Sequence, residues 1–184
     1  MPILGILASS ITGGLVTDAG AMFPIRSYVV PSGGAASIEW TSIPSTYTHL
    51  QIRATLKSST SSYIALQFNG VFSGSAYDGH GIDGNGSSVT AYAYNSRDNI
   101  PTFSDGISTT QYSGLVLDIL DYANTNKNKT ARWLAGFDNN GSGNIYFESG
   151  LWRSTSAITS IKLFSGGSGT FSQYSSFALY GVLA

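Results

Sequence analysis

The segment from residue 113 to residue 138, SGLVLDILDYANTNKNKTARWLAGFD, constrains the fold more than any other part of the chain. Two alternating runs flank a polar Asn/Thr/Lys segment, which is the pattern of a β-hairpin. Successive side chains of a strand point to opposite faces, so pairing must keep the apolar sets on one face. Those sets are Leu115, Leu117 and Ile119 in the first run, and Ala131, Trp133, Ala135 and Phe137 in the second.

The charged residues of this hairpin predict its register. Placing Asp118 opposite Arg132 also places Leu117 opposite Trp133 and Asp121 opposite Lys129. We expect both carboxylates to be neutralised in this register. An exposed ion pair contributes only about 0.2–1 kcal/mol, so the pairs select the register and the apolar face supplies the stability.

The rest of the chain repeats the same pattern and predicts an all-β fold. Residues 48–57 alternate with Leu50, Ile52, Ala54 and Leu56 on one face. Further runs follow at 25–30, 36–40, 62–69, 89–94, 145–148, 157–164 and 173–182. About ten short strands separated by turn residues indicate a sandwich or barrel, and the long central connections favour a jelly-roll-like antiparallel β-sandwich.

Two central stretches are predicted to be irregular. Residues 70–88 are so rich in glycine that we expect a loop, and loops of this length are uncommon unless they serve function or contacts. Residues 95–110 are expected to form a polar connection with one short strand around Phe103. No window shows the 3.6-residue period of a helix.

The domain prediction is an N-terminal arm at residues 1–23 and a single β-sandwich domain at 24–184. The arm begins MPILGILASS and has no basic residue before Arg26, unlike a secretory signal, and its apolar run is too short to span a bilayer. We interpret it as an extended segment that binds a partner; a loose or domain-covered terminus is the alternative.

Composition excludes several classes of function. The formal net charge is −1, so nucleic acid and anionic membranes are not expected partners. The chain contains no cysteine, which removes disulfides, thiolate metal sites and cysteine nucleophiles. Only 10% of its residues are charged, against roughly 25% in an average soluble protein, and such a surface suits coverage by other protein.

The candidates for catalysis and metal binding are few. His80 lies near Asp78 and Asp83, but the spacing matches no zinc or EF-hand pattern, and a mobile loop is the better interpretation. No nucleophile elbow is present, and Asp118 and Asp121 fall on opposite faces of a strand. We therefore predict a non-enzymatic protein with no catalytic, cofactor-binding or metal-binding residues.

Partner contacts are the functional feature that remains. Aromatic side chains beside Gly/Ser loops often contact protein or stack on sugars, and the alternative is that most of them close the core. The predicted contact residues are the apolar side chains of the arm and three tyrosines: Ile3, Leu4, Ile6, Leu7, Ile11, Leu15, Val16, Tyr77, Tyr92 and Tyr94.

Several segments together resemble a known family. They are IPSTYTHLQIR (43–53), LDILDYANTNKNKTAR (117–132), FDNNGSG (137–143), SGLWRSTSAITSIKL (149–163), FSQYSSFALYGV (171–182) and the opening MPILGILASS. With these, the chain resembles small virion-associated proteins of tailed bacteriophages, common among phages of cyanobacteria and other aquatic bacteria. The resemblance is weakest over residues 71–110.

This resemblance implies a structural protein of the virion, assembled in the host cytoplasm. The first hypothesis is a capsid decoration or cement protein, expected to be a homotrimer that binds the major capsid protein or other virion proteins and stabilises the head shell. In it, the arm lies along a neighbouring subunit. The alternative is a tail-fibre tip or receptor-binding module that contacts host surface glycans.

Overall fold

The computed structural model describes residues 22–183, in which twelve β-strands and no helix occur. Consequently no described residue belongs to a helix long and apolar enough to cross a membrane. The strands are β1 (Met22–Val29), β2 (Ser37–Trp40), β3 (His49–Leu56), β4 (Ile64–Phe68), β5 (Tyr77–Gly84), β6 (Val89–Arg97), β7 (Ile100–Thr102), β8 (Ser113–Leu120), β9 (Lys129–Asp138), β10 (Gly143–Trp152), β11 (Ile161–Ser165) and β12 (Ser176–Val182).

The strands form two antiparallel sheets of unequal size. The large sheet has eight strands in the order β1-β12-β3-β8-β9-β10-β5-β6, and the small sheet has four in the order β2-β11-β4-β7. The inward faces of both sheets enclose one core, which contains Leu117, Trp133, Leu66 and Leu163. The predicted all-β, jelly-roll-like sandwich is confirmed; most of the predicted arm lies outside the described residues, and Met22 and Phe23 belong to β1.

The predicted hairpin is β8 and β9, at the centre of the large sheet. Asp118 lies opposite Arg132 and Leu117 opposite Trp133, so the register predicted from the sequence is confirmed. Every second residue of β8 from Leu115 to Ile119 is buried. The apolar face therefore fixes this hairpin, as the alternation indicated.

The ion pairs expected in the hairpin are different in the structure. The Asp118 carboxylate accepts a hydrogen bond from Gln51 on the neighbouring strand β3, at 2.7 Å. Asp121 pairs with Lys127. Lys129 is completely buried, and its ammonium group donates to the backbone carbonyls of Asn124, Lys127 and Thr155 at 2.5, 2.8 and 3.0 Å. A lysine with three carbonyl acceptors needs no carboxylate, because its donors are already satisfied.

The C-terminal strand β12 lies inside the large sheet, between β1 and β3. Gly181 of β12 is needed for packing, because a Cβ atom there would lie 2.2 Å from the Tyr47 ring. Asn69 and Gly70 directly follow β4 and have φ of 51° and 65°, the left-handed conformations of a tight turn. An Asn-Gly pair is typical of such a turn.

The difference in sheet size leaves part of the large sheet uncovered. The small sheet ends at β7, which packs over β5 and β10, whereas the large sheet continues one strand further to β6. The inward face of β6 therefore projects beyond the core. This overhang determines where polar residues collect inside the sandwich.

Candidate functional site

Three of the residues predicted to contact a partner, Tyr77, Tyr92 and Tyr94, lie on strands β5 and β6. The predicted contact residues of the arm lie outside the described residues; they are Ile3, Leu4, Ile6, Leu7, Ile11, Leu15 and Val16. Tyr77 is fully buried, and its hydroxyl donates to the Val71 carbonyl and accepts from the Phe68 amide. Its ring stacks on Trp152 in the core. Tyr77 is thus a core residue, and the prediction that it contacts a partner is wrong.

The prediction of a loop over residues 70–88 is also wrong, because residues 77–84 form strand β5. The glycines belong in this strand for a packing reason. A Cβ atom on Gly79 would lie 2.2 Å from the Tyr94 hydroxyl, and one on Gly81 would lie 2.7 Å from Cγ of Glu148. Large neighbouring side chains lie flat across β5, and only glycine leaves them room.

Tyr92 and Tyr94 of β6 lie on the inward face and reach across these glycines. Tyr92 is opposite Gly81, Gly81 is opposite Glu148 of β10, and Glu148 is opposite Trp133 of β9. One inward row thus brings a phenol, a carboxylate and an indole together. Tyr94 is opposite Gly79 in the adjacent row.

Glu148 is the unusual member of this row, since only 2% of its surface is exposed. Oε1 accepts hydrogen bonds from the Ser104 hydroxyl and amide at 3.1 and 3.4 Å. Burial raises the pKa of Glu148 to about 7, although the nearby Tyr92 hydroxyl, Ser104 and the Trp133 indole act to lower it. A carboxyl with this pKa changes its charge near neutral pH.

The polar atoms around Glu148 are incompletely hydrogen-bonded among the described residues. Oε2 of Glu148, the hydroxyls of Tyr92 and Tyr94 and Nε1 of Trp133 are buried without a hydrogen bond of normal geometry. Unpaired buried polar groups cost free energy and are rare in native cores. Burial also raises the pKa of both tyrosines, with the charge of Glu148 contributing.

A cleft of about 420 Å³ opens beside this cluster, between β6 and the segment around β7. We call it the overhang cleft. Its lining surface is about half polar and half apolar, and the lining residues are Tyr63, Asp83, Thr90, Tyr92, Ala93, Tyr94, Arg97, Asp98, Asn99, Pro101, Ser104 and Asp105. Burial and the charge of Asp105 raise the pKa of Asp83, so these two carboxylates repel each other in the cleft.

Asp78, His80 and Asp83 do not come together as a metal site. In β5, Asp78 and His80 alternate to one face of the sheet and Asp83 to the other. Asp78 instead pairs with Arg153 and accepts a hydrogen bond from the Ser96 amide, at 2.9 Å. Within residues 22–183, no three His, Cys, Asp or Glu side chains are grouped to hold a metal ion.

The opposite, outward face of the large sheet carries a second feature, which we call the outer apolar row. Val116, Leu134, Phe147 and Ile82 lie directly opposite one another on four consecutive strands, β8, β9, β10 and β5. Each exposes between 40% and 54% of its surface. Single exposed apolar residues are ordinary, but a contiguous row indicates an interaction surface.

A groove of about 910 Å³ runs beside the outer apolar row. Its floor is a row of outward-facing residues that lie opposite one another on neighbouring strands. The row consists of Gly114 of β8, Gly136 of β9, Ile145 of β10 and Gly84 of β5, so it is mostly glycine. Val116, Leu134 and Ile145 form apolar parts of its wall. The groove and the outer apolar row therefore form one apolar surface.

A polar row borders this surface on the other side. Arg53 donates to Gln51 at 2.8 Å, and Gln51 donates to Asp118 at 2.7 Å. Arg132, Ser149 and His80 continue this row across β9, β10 and β5. A connected apolar centre with a polar border is the usual arrangement of a protein interface.

Sequence reasoning missed both features for identifiable reasons. The runs LVLDIL and RWLAGF are apolar at outward as well as inward positions, and that signal points to Val116 and Leu134. Glu148 has a weaker signal, since it occupies an inward position of a strand with Tyr146 and Trp152 on the same face. Neither pattern shows which strands are neighbours.

Comparisons with known proteins place this chain in no family. No family model and no curated protein matches the chain. Among solved structures, the crystal structure of Caenorhabditis elegans galectin LEC-6 is similar, with a TM-score of 0.37 and 9% sequence identity over 86% of this chain and 96% of that chain. Similarity at this level supports no inference about ligands.

Proposed function

We propose that this chain is a non-enzymatic structural protein of a bacteriophage virion, most specifically a decoration or cement protein that binds the head shell. The virion context comes from the sequence resemblance. The observation that carries the binding role is the outer apolar row, since four exposed apolar side chains on adjacent strands need a covering surface.

The composition of this surface favours a protein partner. The row and its groove are apolar at the centre, and the charged side chains Arg53, Asp118 and Arg132 lie at the border. Covering such a surface gains roughly 25 cal/mol per Å² of apolar area removed from water. With 10% charged residues overall, the chain offers little long-range electrostatic attraction, so contact area has to supply the affinity.

The partner in this proposal is the protein lattice of the head, principally the major capsid protein. The arm, with Ile3 to Val16, would add a second contact along a neighbouring subunit. Each copy would then be held at two points, and a homotrimer would multiply the attachment further.

The test replaces one residue at the centre of the row by a charge. Leu134→Asp is expected to reduce occupancy on heads by about tenfold or more, because a carboxylate would have to be desolvated in the contact. Phe72→Asp is the matched control: Phe72 is 68% exposed but lies in the β4–β5 connection, away from the row.

Occupancy is measured by cosedimentation of purified protein with heads that lack it, and position by electron cryomicroscopy of virions that carry the chain. Density at three-fold or quasi-three-fold positions of the head supports the proposal. Density found only at the tail, together with binding on a glycan array, would establish the receptor-binding alternative instead.

A further inference from the structure

The groove beside the outer apolar row crosses most of the large sheet. Its lining comes from seven strands, beginning with Val29 of β1 at the sheet edge and ending with Gly84 of β5. A single row of outward positions runs along its whole length; the row is Val29, Ser176, Thr55, Gly114, Gly136, Ile145 and Gly84. With neighbouring strands about 4.8 Å apart, this row is about 29 Å long. A groove of that length suits an extended polypeptide segment.

Two glycines of the groove floor have no packing reason inside the sandwich. A Cβ atom on Gly114 would meet nothing within 4 Å, and one on Gly84 would lie 3.6 Å from Ile145, an ordinary contact distance. Neither glycine has φ in the left-handed region. Gly136 differs, since a Cβ there would lie 2.8 Å from the Asn144 carbonyl oxygen. Glycine inside a strand often marks the close approach of another backbone, and this reading fits Gly114 and Gly84.

The groove carries little charge. Arg53 and Asp138 are the charged side chains among its lining residues. A charged segment would therefore lose its hydration along the glycine row without a counter-charge beside it. An uncharged apolar segment would instead gain from burial against Val116, Leu134 and Ile145. The hydroxyls of Thr55 and Ser176 can serve its peptide groups, which need hydrogen-bond partners.

The chain itself contains a segment with these properties, in the part that precedes β1. Residues 1–17 include no charged side chain, and five of the nine residues 3–11, ILGILASSI, are large and aliphatic. Nine extended residues span about 30 Å, which equals the length of the groove. Residues 12–21, TGGLVTDAGA, can then bridge up to about 33 Å to Met22.

We propose that residues 3–11 of one copy of this chain occupy the groove of a neighbouring copy. The point of attachment favours a neighbour. Met22 and Val29 are the two ends of β1, about 23 Å apart, and the groove lies at the Val29 end. To enter the groove of its own copy, the segment would have to turn back along β1 after leaving Met22. A neighbour's segment can enter without that reversal.

This contact joins two different surfaces, so repeating it generates a closed ring of copies. The inference rests on the proposed role of the arm and names the surface that receives it; the homotrimer of the proposed function is one such ring. The outer apolar row beside the groove stays available for the head shell.

The first experiment measures the association of the full-length chain by analytical ultracentrifugation. Gly114→Phe places a ring in the open space of the groove, and Leu7→Asp places a charge on the segment that enters it. We expect the wild type to sediment as an oligomer and each variant to weaken its association by about tenfold or more. Gly74→Phe is the matched control, since a Cβ atom there also meets nothing within 4 Å and Gly74 lies in the β4–β5 connection. Circular dichroism verifies that each variant is folded.

The second experiment identifies the two surfaces by cross-linking. The chain has no cysteine, so a variant with both Leu7→Cys and Gly114→Cys carries only those two thiols. Treated with a short bis-maleimide, it should give covalent species of three or more copies on a denaturing gel. A variant with a single cysteine cannot exceed two copies, which makes each single variant the control.

Three results would overturn the proposal: a monomeric wild type at high micromolar concentration, undiminished association of Gly114→Phe or Leu7→Asp, and cross-linking confined to single copies. The last would place the segment in the groove of its own copy. No heads take part in these measurements. Their failure would remove the contact between copies, whereas head binding by the outer apolar row is decided separately by Leu134→Asp.

Discussion

The hairpins β8–β9 and β5–β6 belong to the same sheet and differ in what faces them. The first lies under the small sheet, and its inward residues are Leu117, Trp133 and their apolar neighbours. The second reaches past the small sheet, and its inward positions hold Gly79, Gly81 and Asp83, with Tyr92 opposite. Coverage by the opposing sheet, and not strand formation itself, decides which hairpin is apolar inside.

The hairpins also differ in how they satisfy polar groups. Lys129, the buried charge at the end of β8–β9, donates to three backbone carbonyls. Glu148, the buried charge beside β5–β6, keeps one oxygen without a hydrogen bond among the described residues. The buried cation of the central hairpin is therefore fully hydrogen-bonded, whereas the buried carboxyl beside the overhanging hairpin is not.

The largest expected effect comes from the covered hairpin. Leu117→Ala should lower the free energy of unfolding by about 2–5 kcal/mol, because it leaves a cavity where the side chain is fully buried. Leu134→Ala, on the outward face of the same hairpin, should cost less than about 1 kcal/mol. Urea unfolding monitored by tryptophan fluorescence measures both. If both variants lost the same free energy of unfolding, the two faces of the hairpin would be equally packed, and the outer apolar row would not be an exposed surface.

Glu148 provides a pH test of the overhanging hairpin. Its pKa is about 7 in the folded chain, above the ordinary value of 4.5, so the folded state binds the proton more tightly than the unfolded state does. This contribution to stability is fully present below about pH 4.5 and is lost as pH rises through about 7. The loss amounts to up to about 3 kcal/mol, at roughly 1.4 kcal/mol for each pKa unit.

Glu148→Gln cannot ionise and should remove this loss, making the variant more stable than the wild type at pH 8. Denaturant unfolding at several pH values from 4 to 8 checks the prediction. Glu39→Gln is the control, since Glu39 is an exposed residue of β2 and its variant should keep the wild-type profile. If the Gln variant retains that profile as well, another group is responsible for the pH dependence.

The smallest expected effect concerns the glycines of β5. Gly79→Ala should cost about 1–2 kcal/mol, because the new methyl group would lie 2.2 Å from the buried Tyr94 hydroxyl. At Gly114 of β8, a Cβ atom meets nothing within 4 Å, so Gly114→Ala should change stability by less than about 0.5 kcal/mol. Thermal unfolding measures the stability of both variants. If Gly79→Ala left the unfolding temperature unchanged, the Tyr94 side chain would be able to move aside at little cost.

The sequence predicted the register of the central hairpin well because alternation and pairing across a single turn are local, but it did not predict the polar partners of Asp118 and Lys129 on other strands and loops. Alternation over β8 and β9 specified both faces, and the pairing of apolar sets specified the register. It failed at β5, where the glycines were interpreted as loop residues. Their reason for being in a strand is the presence of Tyr94 and Glu148, which belong to other strands.

The candidate sites also combine residue types that the sequence shows with contacts that it does not show. Tyr92 and Tyr94 were identified from the sequence as aromatic residues of interest, but their burial and their proximity to Glu148 depend on the pairing of β6, β5 and β10. The outer apolar row depends likewise on four strands being neighbours. Residue types were visible in the sequence, whereas their grouping was not.

By itself, the sequence determined an all-β sandwich with a tightly specified central hairpin, because period-two alternation and turn residues act within a few positions of the chain. Only the tertiary structure decided that Lys129 is capped by carbonyls, that β5 is a strand, and that one edge of the large sheet extends beyond the small one. These outcomes depend on contacts between strands distant in sequence, and local patterns do not encode which strands meet.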